Sequence, residues 1–205
     1  MKCAIISGGT APGVDFLQEA VRDCDFIICA DLGLEYARNA GITADIAVGD
    51  FDSGAVLDNC KRLVRLPVKK DDTDTMSAAR LAVENKATQA VLLCCTGTRL
   101  DHTYANLFVL DYLRKNGVDA RILDEHNTVF LTASGKAEIE KERKFLSLLP
   151  FCSQVKGVSV SGVKYPLDNA DLSSDFPIGV SNEITQSHAQ LSVKSGTLAV
   201  ILSDD

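Results

Sequence analysis

Val48-Gly49-Asp50-Phe51-Asp52-Ser53 carries an apolar run, Ile46-Ala47-Val48, into two carboxylates spaced i and i+2. Successive side chains of an extended segment point to opposite faces, so i and i+2 point the same way. Asp50 and Asp52 are therefore expected to project together from the carboxyl end of a buried strand. Two like charges side by side are costly unless a cation lies between them. Hard oxygen ligands of this kind suit Mg²⁺, which takes one or two carboxylates together with substrate phosphates. The same residues also suit an Asp-rich turn that caps a helix at Ser53.

Toward the N-terminus the pattern repeats. Cys3-Ala4-Ile5-Ile6 reads as a buried strand that ends in Ser7-Gly8-Gly9-Thr10-Ala11-Pro12-Gly13. Those glycines can admit a phosphate. The Gly-Lys-Ser/Thr of a Walker loop is missing, however, and a plain turn is the simpler reading. Leu17, Ala20, Val21 and Cys24 recur at helical spacing and predict a helix over residues 15–24. Phe26-Ile27-Ile28-Cys29 is a second strand that ends in Ala30-Asp31, so Asp31 occupies the same kind of position as Asp50. A helix from Gly33 to Ala40 follows, stopped by Gly41.

Toward the C-terminus a short helix after Ser53 leads to a strand, Leu63-Val64-Arg65-Leu66-Pro67-Val68. Lys69-Lys70-Asp71-Asp72-Thr73-Asp74 then opens a helix marked by Met76, Ala79 and Val83. Asp72 or Thr73 fits its N-cap and Asp74 its first turn. Gln89–Cys95 is a fifth strand, ending in Thr96-Gly97-Thr98-Arg99-Leu100-Asp101-His102. A helix over Thr103–Lys115 is expected to turn Ala105, Phe108, Val109 and Tyr112 inward, with His102 and Asn106 one turn apart on one face. Arg99 beside Asp101 reads either as a local ion pair or as a fork for phosphate oxygens. Ala120–Leu123 is a sixth strand.

Strand, loop and helix alternate five times, which implies a parallel sheet flanked by helices in three layers, α/β/α and Rossmann-like. Ligands of such sheets bind beyond the carboxyl ends of the strands. Asp31, Asp50, Asp52, the Asp71–Asp74 cluster and Arg99–Asp101 all fall at that edge. That convergence favours a metal–phosphate site over scattered capping residues. From residue 126 only short strand-like pieces follow: Val129–Thr132, Lys136–Ile139, Phe145–Leu149, Val155–Val160, Lys164–Leu167, Gln190–Val193 and Leu198–Leu202. They imply a small all-β sandwich. The domains are thus expected at 1–125 and 126–205. The second is small for an independent unit without disulfides, and so is expected to lean on the first or on another subunit.

Composition narrows the partners. A net charge of −7 argues against nucleic acid or an anionic membrane, and it makes a phosphate-bearing substrate awkward without metal ions. No stretch approaches 18 consecutive apolar residues, and Met1–Ile6 lacks a signal-peptide pattern. Seven cysteines without a C-x-x-C spacing suit free thiols in a reducing compartment, so a cytoplasmic location is expected.

Taken in order, Gly49-Asp50-Phe51-Asp52-Ser53, Lys70-Asp71-Asp72-Thr73-Asp74 and Thr96-Gly97-Thr98-Arg99-Leu100-Asp101-His102 with Asn106 closely resemble the motifs of the thiamine pyrophosphokinase family, bacterial type. Ala30-Asp31 and Leu123-Asp124-Glu125-His126-Asn127 match as well. Gly162-Val163-Lys164-Tyr165-Pro166-Leu167 and Gly179-Val180-Ser181-Asn182-Glu183 resemble the family's second domain. The resemblance implies transfer of pyrophosphate from ATP to the hydroxyl of thiamine, giving thiamine diphosphate and AMP. It implies Mg²⁺ on Asp50, Asp52 and Asp74. Asp31, Asp71, Thr73, Arg99, Asp101, His102 and Asn106 would line the ATP site, and Ser181 and Asn182 would meet thiamine. On chemical grounds an acidic residue near the alcohol, for which Asp71 is one candidate, can take its proton. It further implies a homodimer with the active site between subunits. Leu32 and Thr98 stand where many members have glycine, and the chain has no tryptophan. Two other readings remain: an Asp-x-Asp phosphatase, whose motif would follow the first strand rather than the third, and a non-catalytic nucleotide or thiamine binder, which would not need the aspartates.

Overall fold

The computed structural model describes residues 1–51, 58–67 and 71–205. Asp52, Ser53, the short helix expected after Ser53, and Val68-Lys69-Lys70 lie outside the described residues. The chain divides into two compact units, Met1–Glu125 and His126–Asp205.

In the first unit, strands β1 (Lys2–Ile6), β2 (Phe26–Ala30), β3 (Ala44–Gly49), β4 (Cys60–Arg65), β5 (Gln89–Leu93) and β6 (Asp119–Leu123) lie in the order β4-β3-β2-β1-β5-β6. Every pairing among them is parallel. Their connections carry α1 (Val14–Val21), α2 (Gly33–Asn39), α3 (Asp74–Glu84) and α4 (Leu100–Lys115). Because side chains alternate along a strand, each central strand buries both faces. Ala4, Ile6, Cys29, Ala47, Val91 and Leu93 pack with Leu17 and Val21 of α1 and Leu34 and Ala37 of α2. The alternate residues Cys3, Ile5, Ile28, Ile46 and Leu92 are equally buried on the other face, where α3 and α4 pack. Each fully buried aliphatic side chain contributes about 1.5–3 kcal/mol over an exposed one. That face-by-face burial is what fixes the sheet register.

Several element ends differ from expectation for local reasons. α1 stops at Val21, where the amide of Cys24 turns back to the Val21 carbonyl. β4 runs over Cys60–Arg65, earlier than the expected strand at 63–68. β5 stops at Leu93 because Cys94 takes a left-handed backbone, φ +56°. In α4 the inward residues are Asn106, Val109, Leu110 and Leu113, while Phe108 is exposed. The expected face is therefore one residue out of register.

The second unit holds β7 (Asn127–Thr132), β8 (Gly135–Glu140), β9 (Phe145–Pro150), β10 (Gln154–Ser161), β11 (Leu167–Ser173), β12 (His188–Val193) and β13 (Leu198–Ser203). β7-β13-β9 and β11-β10-β12-β8 are two antiparallel layers. They close over one core that includes Ile139, Leu146, Val158, Leu172, Leu191 and Val200. This is the expected sandwich. Lys164–Leu167 is not a strand of it; β11 begins at Leu167, and Lys164-Tyr165-Pro166 forms the connection before it.

Candidate active site

The carboxyl ends of β1, β2 and β5 open onto a cleft of about 390 Å³ in the first unit. Three residues beyond strand ends of this unit have unusual backbones, and one of them, Asp31, lines the cleft. Asp31, Phe51 and Cys94 each follow a strand in the left-handed region, at φ +48°, +52° and +56°. Non-glycine residues held there cost of the order of 1–3 kcal/mol each, and such outliers gather at functional sites. The amide of Asp31 donates to the Val48 carbonyl at 2.9 Å, which ties the ends of β2 and β3 together. A Cβ on Gly49 would come within 3.2 Å of the Asp31 Cα, so glycine lets these two acidic strand ends approach.

The loop after β1 runs against the loop after β5. Gly9 donates its amide to the Cys94 carbonyl at 2.7 Å, and Thr10 donates to the Thr96 carbonyl at 2.8 Å. A side chain on Gly9 would collide with the carbonyl oxygens of Cys94 and Thr96. The Tyr36 hydroxyl, reaching over from α2, donates to the Gly9 carbonyl at 2.9 Å. Both polar groups of the Gly9 backbone are thus fixed, and the loop is a rigid wall of the cleft rather than the plain turn expected of it.

The N-termini of α3 and α4 complete the enclosure. Thr73 caps α3, its hydroxyl accepting from the Met76 amide at 3.2 Å, and Asp74 follows in the first turn. Thr75, next along, is buried and hydrogen bonded to the Ser7 hydroxyl. Arg99 and His102 stand at the start of α4 and also line the cleft. Helix N-termini carry partial positive charge and unsatisfied amides, a combination that receives phosphate.

Of the expected site residues, Asp31, Thr73, Asp74, Arg99, His102 and Asn106 all line this cleft. Asn106 is buried, and its amide donates to the Cys95 carbonyl at 2.7 Å, so it holds the end of β5. Asp50 lies half-buried just past β3, one strand over from Asp31. Asp71 is exposed ahead of α3, and Asp72 pairs with Arg80 at 2.7 Å. Arg99 and Asp101 form an exposed ion pair at 2.7 and 3.3 Å; the Arg99 guanidinium holds the Asp101 carboxyl below its usual range. Among the described residues no three acidic, histidine or cysteine side chains gather as a metal site, and Asp52 lies outside those residues. Ser7, Gly8, Gly9, Thr10, Thr75 and Thr96 line the cleft but were not among the expected site residues. The signal for the first of them was their place after a strand, the same place that picked out Asp31.

Four thiols of the first unit are buried, and Cys95 among them lines the cleft. Burial pushes Cys3 and Cys94 up to about 12 and raises Cys29 and Cys95 as well. They stay protonated and behave as apolar filling.

In the second unit Ser181 is exposed, at φ +58°, with its amide donating to the Ser147 hydroxyl at 3.0 Å. The Asn182 side chain is committed locally. Its oxygen accepts from the amides of Tyr165, at 3.0 Å, and Glu183, at 2.9 Å, and its nitrogen donates to the Tyr165 carbonyl at 2.8 Å.

Comparison with known proteins gives one consistent result. Residues 17–122, just over half of the chain, match the family description "Thiamin pyrophosphokinase, catalytic domain", and residues 136–198 match "Thiamin pyrophosphokinase, vitamin B1 binding domain". A curated relative, thiamine pyrophosphokinase of Bacillus subtilis (strain 168), is 28% identical over 211 residues, covering 98% of each chain. The crystal structure of thiamine pyrophosphokinase from Bacillus subtilis superposes with a TM-score of 0.91 at 27% identity, over the full length of both chains. A thiamin pyrophosphokinase family protein from Enterococcus faecalis gives 0.87 at 27% identity, again over both full lengths.

Proposed function

The chain belongs to the thiamine pyrophosphokinase family, and from that membership we propose how its residues transfer pyrophosphate from ATP to the hydroxyl of thiamine, giving thiamine diphosphate and AMP. The observation that carries the assignment of residues is the cleft at the carboxyl edge of the parallel sheet. Carboxylates, a guanidinium and two helix N-termini converge there.

ATP occupies this cleft in the first unit. Pyrophosphoryl transfer asks the protein mainly for positioning and charge stabilisation. The first-turn amides of α3 and α4 and the rigid Gly8-Gly9-Thr10 wall receive phosphate oxygens. Arg99 adds a guanidinium fork. Its bond to Asp101 is a solvent-exposed ion pair, screened by water, so exchanging Asp101 for a phosphate costs little. Asp31, Thr73 and His102 frame the nucleotide, and Asn106 acts by holding the end of β5. Asp71 takes the proton of the thiamine alcohol.

The donor set fits Mg²⁺. Asp50 and Asp74 supply hard oxygens at neighbouring strand and helix ends, and a chain of net charge −7 needs a cation to receive a polyanion. Asp50, Asp52 and Asp74 would hold it, and when bound it supplies charge neutralisation on the phosphates.

Thiamine is met by the loop at Ser181 and Asn182 of the second unit. Asn182 contributes through the Tyr165 backbone that it holds. We further propose a homodimer in the cytoplasm, in which the site is completed between subunits. Leu100, Tyr104 and Phe108, exposed at four-residue spacing along α4, support an association surface beside the cleft. No helix among the described residues is long and apolar enough to cross a membrane.

The test is incubation with ATP, Mg²⁺ and thiamine, with products separated chromatographically. Equal amounts of AMP and thiamine diphosphate are expected. Release of inorganic phosphate would indicate an Asp-x-Asp phosphatase instead, and unchanged substrates a binding protein.

A further inference from the structure

Two hydroxyls meet on the floor of the ATP cleft, and neither belongs to the motifs that carry the family resemblance. Ser7 is the first residue beyond β1, and its amide is fixed to the Leu93 carbonyl at 2.9 Å. Thr75 is the second residue of α3, directly after Asp74. The two are 5% and 6% exposed, both line the cleft, and their side-chain oxygens are hydrogen bonded to each other. A buried hydroxyl pair can be no more than a satisfied piece of core. The rest of the α3 face makes more of this one. Its other buried residues are Ala78, Ala79 and Ala82. Alanines have no side chain long enough to lock into the sheet, so they leave the height of the helix above the strands weakly specified. A directional bond at the first turn supplies what they lack. The Thr73 cap works only within α3, whereas the Ser7–Thr75 bond reaches from α3 to the sheet.

We infer that Ser7 and Thr75 are a positioning pair that sets where the first turn of α3, and with it Asp74, stands over the end of β1. The inference rests on the ATP cleft proposed above. Small displacements of a positioning group are expensive in such reactions, because transfer depends on the reacting atoms being held in line. Removing either hydroxyl lets the first turn of α3 shift, so that its amides, and the Asp74 carboxylate that would hold Mg²⁺, receive the nucleotide less well. Thiamine, met by the other unit, is handled as before.

The experiment uses the full-length protein with four variants: Ser7→Ala, Thr75→Val, Thr75→Ser and the double variant Ser7→Ala/Thr75→Val. KM for ATP, KM for thiamine and the thermal midpoint are measured for each. Ser7→Ala and Thr75→Val are expected to raise the ATP KM about three- to tenfold, with the thiamine KM within about twofold of the parent. Thr75→Ser keeps the oxygen and should restore the ATP KM. The double variant leaves no hydroxyl without a partner, so its thermal midpoint should recover while its ATP KM stays high. An ATP KM that is unchanged in the single variants, or that recovers with the midpoint in the double, overturns the positioning role. Asp74→Asn serves as the separate arm. Full activity in that variant would sink the assignment of the cleft itself rather than the role of the pair.

Discussion

Asn182, which we place at the thiamine loop, has its side chain committed to its own surroundings. All three of its side-chain hydrogen bonds go to neighbouring backbone, two of them to Tyr165. Asn182→Ala strips a partner from each of these groups, at about 0.5–1.5 kcal/mol per bond. The expected outcome is a thiamine KM raised several-fold with the ATP KM nearly unchanged. A rise in the ATP KM alone would assign this loop to the nucleotide instead. The thiols make a second prediction at this scale. Cys152 is the one exposed cysteine among the seven, and Cys3, Cys29, Cys94 and Cys95 are buried with their protons retained. Native protein should show one fast-reacting thiol towards a disulfide reagent, lost in Cys152→Ser, and seven in denaturant. Single residues of this kind were partly legible in the sequence. Asp31 and Asp74 announced themselves by following strands or opening a helix. Ser7 and Thr75 did not, because a hydroxyl flanked by apolar or turn residues has no pattern of its own until the fold brings its partner to it.

α4 explains why elements are read less well on their inner faces than at their ends. Its extent was visible, but its buried stripe was expected one residue early because Asn106 is polar. The helix buries it all the same, since the Cys95 carbonyl at 2.7 Å satisfies the amide. Phe108 consequently faces outward and packs edge-on against Tyr104, with ring centroids 5.2 Å apart. The other end of α4 carries a pH effect. Burial alone would raise the Asp111 carboxyl, but Lys115 and Arg114, each 2.7 Å away, outweigh it and leave the pKa lowered. A carboxyl lowered in the folded state stabilises the fold above its unfolded value. That contribution is lost as pH falls through the lower, folded one. Asp111→Asn should therefore reduce the urea midpoint at neutral pH, by less than about 1 kcal/mol in stability. It should make no difference in strong acid. An equal loss at both ends of the pH range would refute the ion-pair origin.

At the scale of the whole molecule, the change from strand–helix alternation to unbroken strands marked the passage from one unit to the next. It was legible because the two periods, 3.6 and 2, cannot share a segment. The dimer was expected from the family resemblance and from the small size of the second unit; to that proposal the structure adds an apolar surface stripe. Leu100 is 77% exposed and Tyr104 61%, an apolar stripe on the outward side of a helix whose inner face packs on the sheet. Equilibrium sedimentation at micromolar concentration should give a dimer. Leu100→Glu, which sets a charge at the most exposed end of that stripe, should shift the equilibrium toward monomer and lower activity in parallel. A variant that is fully active and strictly monomeric would contradict the shared site.

The hydroxyl of Tyr36 on the Gly9 carbonyl has a spectroscopic consequence. With four tyrosines and no tryptophan, the chain emits as a tyrosine protein, free of the brighter indole that usually masks phenol fluorescence. A phenol hydrogen bonded to a peptide carbonyl is partly quenched. Any ligand that moves the Gly9 wall should therefore brighten or dim Tyr36, and Tyr36→Phe should remove that part of the signal. On the proposed nucleotide site, Tyr36 is expected to serve as an optical reporter of occupancy, one that needs no attached dye.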